Sequence, residues 1–396
     1  MKEIYFDNSA TTSLCRDACE RMKDVMENLW GNPSSMHEKG VEAEKAVTQA
    51  RNEILTALGV KGLSSIGDNR LIFTASGTEA DNLALLGVCY SKKFVPGKNI
   101  IISDSEHPAV LEPAAKLERE GYTVVRIPTK DGIPDMDALE AAVDKNTAIV
   151  SVMLVNNETG ALNDIKRISK LVKSINPEAL IHTDAVQGFM KMRFTPTSLG
   201  ADLITLSAHK IHGPKGVGAL YVDPAVFKAR KLVPIIYGGG QEKGFRSGTE
   251  NTVGIAGFGA AVKAGMQTLD PDIASMISVR DHICNTVTND PAFANIKLNI
   301  PKGERAPHIV SLRLPDIKSE TMLHYLSREG IYISSGSACS SNTGHVSGTL
   351  ISFGLSEREA DSTLRVSLSR DSTKEDADIF LKALLDGTGK LISMKK

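Results

Sequence analysis

The chain has 396 residues, more than one hydrophobic core usually organises, which predicts two domains. Its 46 basic and 47 acidic side chains nearly cancel and form no basic block, which argues against nucleic acid or an anionic membrane surface as the main partner. No apolar run approaches the ~18 residues of a transmembrane helix and the polar N-terminus resembles no signal peptide, so the expected location is cytoplasmic.

Helix and strand patterns alternate along most of the chain. Helical periodicity covers residues 16–29 and 38–58, with a Gly-, Pro- and Ser-containing loop between them. Strands are then predicted at 71–74, 99–103, 123–127, 148–154, 180–183, 202–206 and 217–222, and helices at 79–92, 109–120, 136–143 and 165–175. This alternation predicts an α/β fold with a mainly parallel sheet. A smaller α/β domain follows, with helices at 262–289, 321–328 and 375–390 and a strand at 308–314.

Polar residues follow one predicted strand after another. Because ligands of such sheets bind at the carboxyl ends of the strands, these residues mark the expected binding edge. The turn at 75–79 opens a helix, and free N–H groups at a helix start, with the Thr78 hydroxyl, suit a phosphate. A simple helix cap is the commoner role of such a turn. The other residues in this position are His107, Asn157, Asp184, Gln187, Ser207, His209 and Lys210.

Lys210 ends the strand pattern of the segment ADLITLSAHKIHGPKGVG, residues 201–218. A partly desolvated lysine favours the neutral amine and is a candidate for Schiff-base chemistry. A solvated lysine in a surface turn is the usual alternative, since lysine is seldom buried. A phosphate cradle, a strand-end acid able to hold a pyridinium proton (Asp184) and an amine are together the protein groups that pyridoxal phosphate requires.

The five cysteines are scattered, and their odd number fits a reducing compartment better than a disulfide framework. Cys15 and Cys19 lie one helical turn apart, but no second pair stands at zinc-ligand spacing. Cys339 lies in a run of small polar residues, a pattern typical of an exposed loop. An unperturbed thiol has a pKa of about 8.5, so some thiolate exists at neutral pH. Composition alone fits an incidental surface thiol equally well.

Ten segments of the chain, in order, match a known family. The chain resembles the pyridoxal-phosphate-dependent cysteine desulfurases, class-V aminotransferase-like enzymes of PLP fold type I. The resemblance implies a large domain at 16–261 and a small domain made of 1–15 and 262–396, which carries the Cys339 loop. The segments are YFDNSATT (5–12), GNPSS (31–35), FTASGTEADN (73–82), EH (106–107), VNNETG (155–160), HTDAVQ (182–187), SAHKIHGPKGVGALYV (207–222), GGGQEKGFRSGT (238–249), SSGSACSS (334–341) and LRVSLSR (364–370).

The resemblance assigns the contacts to the cofactor. Lys210 would form the Schiff base with pyridoxal phosphate, and Asp184 would keep the ring nitrogen protonated. His107 would stack on the ring, and Gln187 would contact its hydroxyl. Thr78, Ser207 and His209 would hold the phosphate, together with Thr249 of the partner subunit in a homodimer. The expected cofactor-binding residues are therefore Gly77, Thr78, His107, Asn157, Asp184, Gln187, Ser207, His209, Lys210 and Thr249. Gly77 stands one position later than the glycine of the family pattern.

The resemblance also implies the reaction. Asn157 and Arg365 would bind the carboxylate of L-cysteine, since the planar fork of arginine can bind both oxygens. Cys339 would take the substrate sulfur as a persulfide, leaving L-alanine, and pass it to a sulfur acceptor or an iron–sulfur scaffold protein. Lys210, Cys339 and His107 are the expected catalytic residues. No metal ligand is expected, except that Cys339 is a possible ligand of an iron–sulfur cluster shared with a partner.

Three alternatives remain open on the sequence. The first is a selenocysteine lyase, or another pyridoxal-phosphate lyase or transaminase of the same fold. The second is a non-catalytic scaffold that uses the Cys339 loop only to bind partners. The third is a nucleotide cradle at residues 213–216, which lacks the spacing of a P-loop.

Overall fold

The computed structural model describes residues 2–63, 70–91, 98–336 and 346–393. Its strands are β1 (Ile4–Tyr5), β2 (Leu71–Thr74), β3 (Asn99–Ser103), β4 (Thr123–Ile127), β5 (Thr129–Lys130), β6 (Ile133–Pro134), β7 (Thr147–Ser151), β8 (Leu180–Asp184), β9 (Leu203–Ser207), β10 (Gly218–Val222), β11 (Lys297–Leu298), β12 (Ile309–Arg313), β13 (Ile331–Tyr332), β14 (Ser334–Ser335) and β15 (Thr363–Ser367).

The helices of the same ranges are α1 (Arg16–Asn28), α2 (Glu38–Ala57), α3 (Gly77–Cys89), α4 (Pro108–Arg119), α5 (Met136–Ala142), α6 (Ile165–Ile175), α7 (Pro196–Leu199), α8 (Pro224–Lys228), α9 (Thr252–Asn289), α10 (Ser319–Arg328), α11 (Gly348–Ser352), α12 (Glu357–Asp361) and α13 (Lys374–Ser393). Short 3-10 helices cover Ala208–Lys210, Glu242–Gly244 and Pro291–Phe293. Along the described chain, no helix combines the length and the apolar character needed to span a membrane.

A seven-stranded sheet is the centre of the larger part of the molecule. Its order is β2-β10-β9-β8-β7-β3-β4, and β10 alone in this sheet runs antiparallel to its neighbours. The predicted α/β fold with a mainly parallel sheet is confirmed. Consecutive residues of β3 serve opposite faces: Ile101 packs with α2 and α6, whereas Ile100 and Ile102 pack with α3 and α4. Helices therefore cover both faces, which explains why the central strands are continuous apolar runs.

A second, four-stranded antiparallel sheet has the order β11-β12-β15-β14. Its core also contains residues of α10, α13 and the C-terminal half of α9. Ile4 and Phe6 of the N-terminal arm are buried in the same core, and β1 pairs in parallel with β13. The arm thus packs with the C-terminal part of the chain, as the resemblance implies. The division into domains at residues 15 and 262 stays a prediction.

Helix α9 begins at Thr252, ten residues before the predicted start at 262. The sequence predicts the start too late because the first half of the helix contains several glycines, and each glycine costs about 1 kcal/mol in a helix interior. Two of them lie at close helix contacts: a Cβ on Gly257 would stand 2.6 Å from Met22 Cγ, and one on Gly259 would stand 2.5 Å from Ala50 Cα. The helix contributes Phe258 to the core of the large sheet and Ile283 to that of the small sheet, so it joins the two.

Candidate active site

A cavity of about 360 Å³ opens at the carboxyl ends of β2, β8 and β9. Ten of the predicted site residues line it: Gly77, Thr78, His107, Asn157, Asp184, Gln187, Ser207, His209, Lys210 and Arg365. Thr249 is exposed and does not line this cavity of its own chain. Cys339 lies outside the described residues. The lining also includes Ser9, Ala10 and Asp81, to which the sequence assigned no role.

Lys210 ends the 3-10 helix that directly follows β9. Its Nζ donates hydrogen bonds to the carbonyl oxygens of Ser9 (2.6 Å) and Ala10 (2.7 Å). These carbonyls belong to the segment 5–12, which the sequence identified as a family match without assigning it a function. The N-terminal arm therefore holds the predicted Schiff-base amine at the cavity, and a solvated surface lysine is not what the structure contains.

The start of α3 forms one wall of the cavity and suits an anion. Ser76 caps the helix by accepting a hydrogen bond from Glu79 N, and the next residues are Gly77 and Thr78. A Cβ on Gly77 would stand 3.0 Å from Val186 Cγ2, so the helix start closely approaches the turn that follows β8. Opposite lies Ser207, whose buried Oγ has no hydrogen-bond partner within the described structure. An orphaned hydroxyl facing a helix N-terminus fits a phosphate group.

Asp184 is the last residue of β8 and is buried. Burial raises its pKa to about 6, while the N–H of Val186, 2.9 Å from Oδ1, and the charge of Lys210 act in the opposite direction. The carboxylate form therefore predominates at neutral pH, and a cationic ring nitrogen beside it would favour that form further.

Asp81, on α3, is a buried acid that sequence reasoning missed, although it lies in the matched segment 73–82. Burial and the charge of Asp184 raise its pKa well above the usual value. His182 Nε2 lies 3.5 Å from Asp81 Oδ1. Burial lowers the pKa of His182 to about 3. His182 is therefore neutral, and we interpret the two side chains as polar packing beneath Asp184 and not as an ion pair.

Two histidines at the cavity are neutral at ordinary pH. Burial, and then the charge of Lys210, lower the pKa of both His107 and His209 to about 4. His107 Nδ1 accepts a hydrogen bond from Ala109 N, which places the proton of the neutral ring on Nε2. His209 Nδ1 lies 3.2 Å from Thr11 Oγ1. An uncharged imidazole of fixed orientation suits stacking on an aromatic ring.

Arg365 lies on β15 and reaches the cavity from the small sheet. It is buried, and its guanidinium donates to Asp7 Oδ1 (2.8 Å) and to the carbonyl oxygen of Asn157 (3.2 Å). The Nε of Arg365 is buried without a hydrogen-bond partner among the described residues. A buried cation with a spare donor at the cavity, beside Asn157, is suited to a small carboxylate.

The described residues on both sides of 337–345 lie beside Glu158, the residue after Asn157. Ser347 Oγ donates to Glu158 Oε2 (2.6 Å), and a Cβ on Gly336 would stand 3.4 Å from the same oxygen. The chain therefore enters and leaves the segment that contains Cys339 close to Asn157. In the described ranges, no group of three or more His, Cys, Asp or Glu side chains is arranged to hold a metal ion.

Comparison with known proteins places this geometry in a family. The model of the aminotransferase class-V family matches residues 4–380. The chain is 37% identical to a cysteine desulfurase IscS of Dictyoglomus turgidum over 97% of this chain and 94% of the relative. A solved NifS-like protein of Rickettsia africae superposes with a TM-score of 0.84 at 31% identity, covering 98% of this chain and 99% of that one. A solved SspA in complex with cysteine superposes with a TM-score of 0.78, also at 31% identity, covering 93% and 99%.

Proposed function

The chain belongs to the aminotransferase class-V family, and from that membership we propose that it is a pyridoxal-phosphate-dependent cysteine desulfurase. The reaction converts L-cysteine to L-alanine and leaves the sulfur atom on the enzyme for transfer. The observation that carries the proposal is the Lys210 amine, held in one cavity with Asp184 and the start of α3. Support comes from relatives named cysteine desulfurase and from the cysteine-bound structural neighbour.

The residues of the cavity fit pyridoxal phosphate. The orphaned Ser207 hydroxyl and the start of α3 would hold the phosphate, and the Asp184 carboxylate would hold the ring nitrogen. The neutral His107 ring suits stacking, and Lys210 is the amine for covalent attachment. When bound, the cofactor supplies an aldehyde that captures amines and a protonated ring that accepts electrons from the substrate.

Lys210 has a second task in the proposed reaction. Its Nζ, once free of the cofactor, removes the proton from the α-carbon of the substrate and later returns a proton to the product. The carbonyl groups of Ser9 and Ala10 position that nitrogen, since both accept hydrogen bonds from it. Only the neutral form of the amine can take up that proton.

Arg365 and Asn157 orient the substrate. Asp7 and the backbone of Asn157 hold the guanidinium in place, so the arginine reaches the cavity already ordered. A substrate carboxylate bound there fixes one end of the small molecule and leaves its amino group and its thiol to point elsewhere. Pre-ordering of this kind lowers the entropy lost on binding.

Cys339 is the proposed sulfur acceptor within the enzyme. Its thiolate attacks the sulfur of the substrate: the new S–S bond forms as the C–S bond breaks, and the electron pair of that bond remains with the carbon, which takes up a proton. One thiol and one cysteine thus give a persulfide and alanine. The support is the position of the flanking residues beside Glu158 and Asn157. The sulfur then passes to an acceptor or iron–sulfur scaffold protein of the cytoplasm.

We further infer a homodimer in which the cavity of each subunit receives Thr249 from the other. Thr249 is exposed and stands outside the lining of its own cavity, which supports this assignment.

The test combines spectra with peptide analysis. Protein loaded with pyridoxal phosphate should show a visible absorption band, and borohydride should fix the cofactor on the peptide that contains Lys210. L-Cysteine should then yield alanine and a persulfide on the peptide that contains Cys339. Lys210→Ala should abolish the attachment of the cofactor by borohydride, and Cys339→Ala should keep the visible band but form no persulfide.

Full sulfide release by Cys339→Ala, or failure of the wild type to bind the cofactor, contradicts the proposal. Selenocysteine as a parallel substrate distinguishes a selenocysteine lyase.

A further inference from the structure

A second lysine, Lys191, is buried behind the cavity without lining it. Its Nζ lies 3.2 Å from Oε1 of Gln187, and among the described residues no carboxylate forms an ion pair with it. Burial, together with the charges of Lys210 and Arg365, lowers the pKa of Lys191 to about 7. A buried amine among other cations lowers the stability of the fold unless its contacts compensate. This cost points to a specific task for the side chain.

The contact of Lys191 is the side-chain amide of Gln187, which does line the cavity. Gln187 Nε2 donates to the carbonyl oxygen of Ser9 (3.0 Å), a group that only accepts. Gln187 Oε1 faces Lys191 Nζ on the other side. Reversing the amide would place two oxygens against each other at Ser9 and would remove the oxygen to which Lys191 Nζ donates. The network therefore fixes the amide in one orientation.

His308 supports the same orientation from the small sheet. It directly precedes β12, is buried, and has its Nε2 3.4 Å from Gln187 Oε1. Burial, with the charges of Lys191, Arg365 and Arg280, lowers the pKa of His308 well below the usual value, so the ring is neutral. A proton on its Nε2 makes this nitrogen a donor to the same oxygen. The longer distance leaves Lys191 as the nearer of the two donors.

The other end of the amide meets the Schiff-base lysine. Lys210 Nζ and Gln187 Nε2 both donate to the carbonyl oxygen of Ser9, so the two nitrogens lie side by side at the cavity. An amide nitrogen carries two hydrogens, and only one of them serves Ser9. The second hydrogen is available to an acceptor in the cavity.

We propose that Lys191 is a positioning residue that holds the Gln187 amide with its NH₂ group at the Lys210 side of the cavity. Gln187 consequently donates a hydrogen bond there and does not accept one. The inference rests on the proposed function, because the acceptor it implies is the anionic ring oxygen of the pyridoxal cofactor. Lys191 acts through Gln187 and does not touch the cofactor itself.

A double-mutant cycle tests the proposal: Lys191→Met, Gln187→Ala and the double variant are loaded with pyridoxal phosphate, and the visible band is titrated with pH. Loss of a donor to the ring oxygen raises the proton affinity of the chromophore. We expect Lys191→Met to shift the apparent pKa of the band upward by roughly one unit, the size of one hydrogen bond to a charged group. In the Gln187→Ala background, Lys191→Met should produce no further shift.

Lys231→Met is the matched control, since Lys231 is also buried but contacts Glu178 and does not line the cavity. It should lower the thermal unfolding temperature without moving the band.

Two results overturn the proposal. The first is that Lys191→Met shifts the apparent pKa of the band by the same amount in the Gln187→Ala background as in the wild type, which shows a direct effect of charge. The second is loss of stability without any shift. If Lys191→Met does not fold, Lys191→Gln takes its place with a smaller expected shift. A wild type without any band contradicts the proposed function itself.

Discussion

At the scale of single residues, burial decides which ionisable groups carry charge around the cavity. It lowers the pKa of His107 and His209 to about 4 and raises that of Glu106 to about 8. At neutral pH both histidines are uncharged, and most of the Glu106 population is protonated. The charges that remain close to the cavity belong to groups with a proposed task, such as Asp184 and Arg365. Because burial neutralises the other groups, the electrostatic field in the cavity is set mainly by these few charges.

Glu106 provides a test of this account through the pH dependence of stability. Its Oε1 accepts from Met153 N (2.8 Å) and from Ser103, whereas its buried Oε2 has no hydrogen-bond partner in the described part of the chain. The pKa of about 8 lies above that of the unfolded chain, near 4.3. Between these values the folded state binds more protons, so the contribution of Glu106 to the free energy of unfolding falls as the pH rises.

Glu106→Gln removes this titration and keeps the oxygen that accepts both hydrogen bonds. We therefore expect the stability of the variant relative to the wild type to increase steadily from about pH 5 to pH 8, measured by urea unfolding at each pH. Glu118→Gln, at an exposed pair with Arg126, is the control and should show no such trend. Parallel stability curves for Glu106→Gln and the wild type would contradict the raised pKa.

Arg365→Lys tests the carboxylate site. Lysine keeps the charge but loses the fork that two carboxylate oxygens require. Because hydrogen bonds to charged groups contribute about 1.5–3 kcal/mol, kcat/KM for L-cysteine should fall roughly 10- to 100-fold, mainly through KM. The visible band of the loaded enzyme should stay unchanged. Arg193→Lys, at an exposed pair with Asp270, should leave KM unaltered, and an equal effect of both variants would argue against a substrate contact.

Residue type and position after a predicted strand singled out Lys210 and Asp184, whereas Arg365 was singled out only by the resemblance. Sequence reasoning missed the carbonyl groups of Ser9 and Ala10, which hold Lys210 across about 200 positions of sequence. A carbonyl acceptor has no signature in the amino-acid type, since every residue carries one. It also missed Lys191, because a lysine in a turn is usually solvated and its burial depends on the packing of the two sheets.

At the scale of elements, the contact between α2 and α9 depends on glycine. A Cβ on Gly259 would stand 2.5 Å from the backbone of Ala50, so the two helices approach more closely than a side chain allows. Gly389, in α13, has open space at the same position. The two glycines share a helical conformation and differ in what surrounds them, which makes them a matched pair.

Gly259→Ala should destabilise the protein by about 1–2 kcal/mol, because overpacking exceeds the gain in helix propensity. Gly389→Ala should instead stabilise it by about 0.5–1 kcal/mol, since only the propensity term acts. The measurement is the free energy of unfolding in urea for both variants. If the two substitutions changed stability in the same direction, close packing of α2 on α9 would not explain the early start of α9.

Most elements with an apolar pattern were predictable, and those defined by tertiary contact were not. Strands β2, β3 and β4 and helix α6 have the predicted bounds. Strand β7 ends at Ser151, three residues before its predicted end. Val152 N and Leu154 N still donate to carbonyl oxygens of β8, but Met153 N donates to the side chain of Glu106 and not to a neighbouring strand. Strand β15 was not predicted from the sequence pattern, because the buried charged residue Arg365 interrupts its apolar residues. The segment was noticed only because it matched the family.

At the scale of the whole molecule, the cavity forms only when the two sheets are in place together. Asp184 and Lys210 come from the large sheet, Arg365 comes from the small sheet, and Ser9 comes from the arm that is bonded to Ser367 of β15. A part of the chain that folded alone would thus lack either the amine or its partners. The resemblance implied that the arm packs with the small domain, but neither it nor periodicity nor composition related residue 9 to residue 210.

The proposed contribution of Thr249 extends this dependence to a second subunit. The loop before Thr249 is anchored to its own chain: the Arg51 guanidinium makes two hydrogen bonds of 2.8 Å to Glu242, and Arg246 pairs with Glu79. An anchored loop that leaves Thr249 exposed is consistent with the proposed contact to a partner subunit. If it does, a defect in Thr249 and a defect in Lys210 of the same subunit affect different cavities.

Two defective variants should therefore complement each other. Lys210→Ala cannot hold the cofactor covalently, and Thr249→Ala should bind it more weakly through the loss of a phosphate contact. In a heterodimer with one subunit of each kind, one cavity combines Lys210 with an intact Thr249 of the partner subunit, and the other has neither. Differently tagged, co-expressed subunits should yield a heterodimer with one cofactor of wild-type affinity per dimer and half of the wild-type activity.

The matched control pairs Lys210→Ala with Asp184→Asn, two residues of the same cavity. That heterodimer has one defect in each cavity, so it should regain no site of wild-type affinity. If the Lys210→Ala and Thr249→Ala heterodimer bound the cofactor no better than the Thr249→Ala homodimer, Thr249 would serve its own subunit or none. Complementation confined to the first pair can arise only when the phosphate contact crosses from one subunit to the other, since each cavity otherwise draws on its own chain.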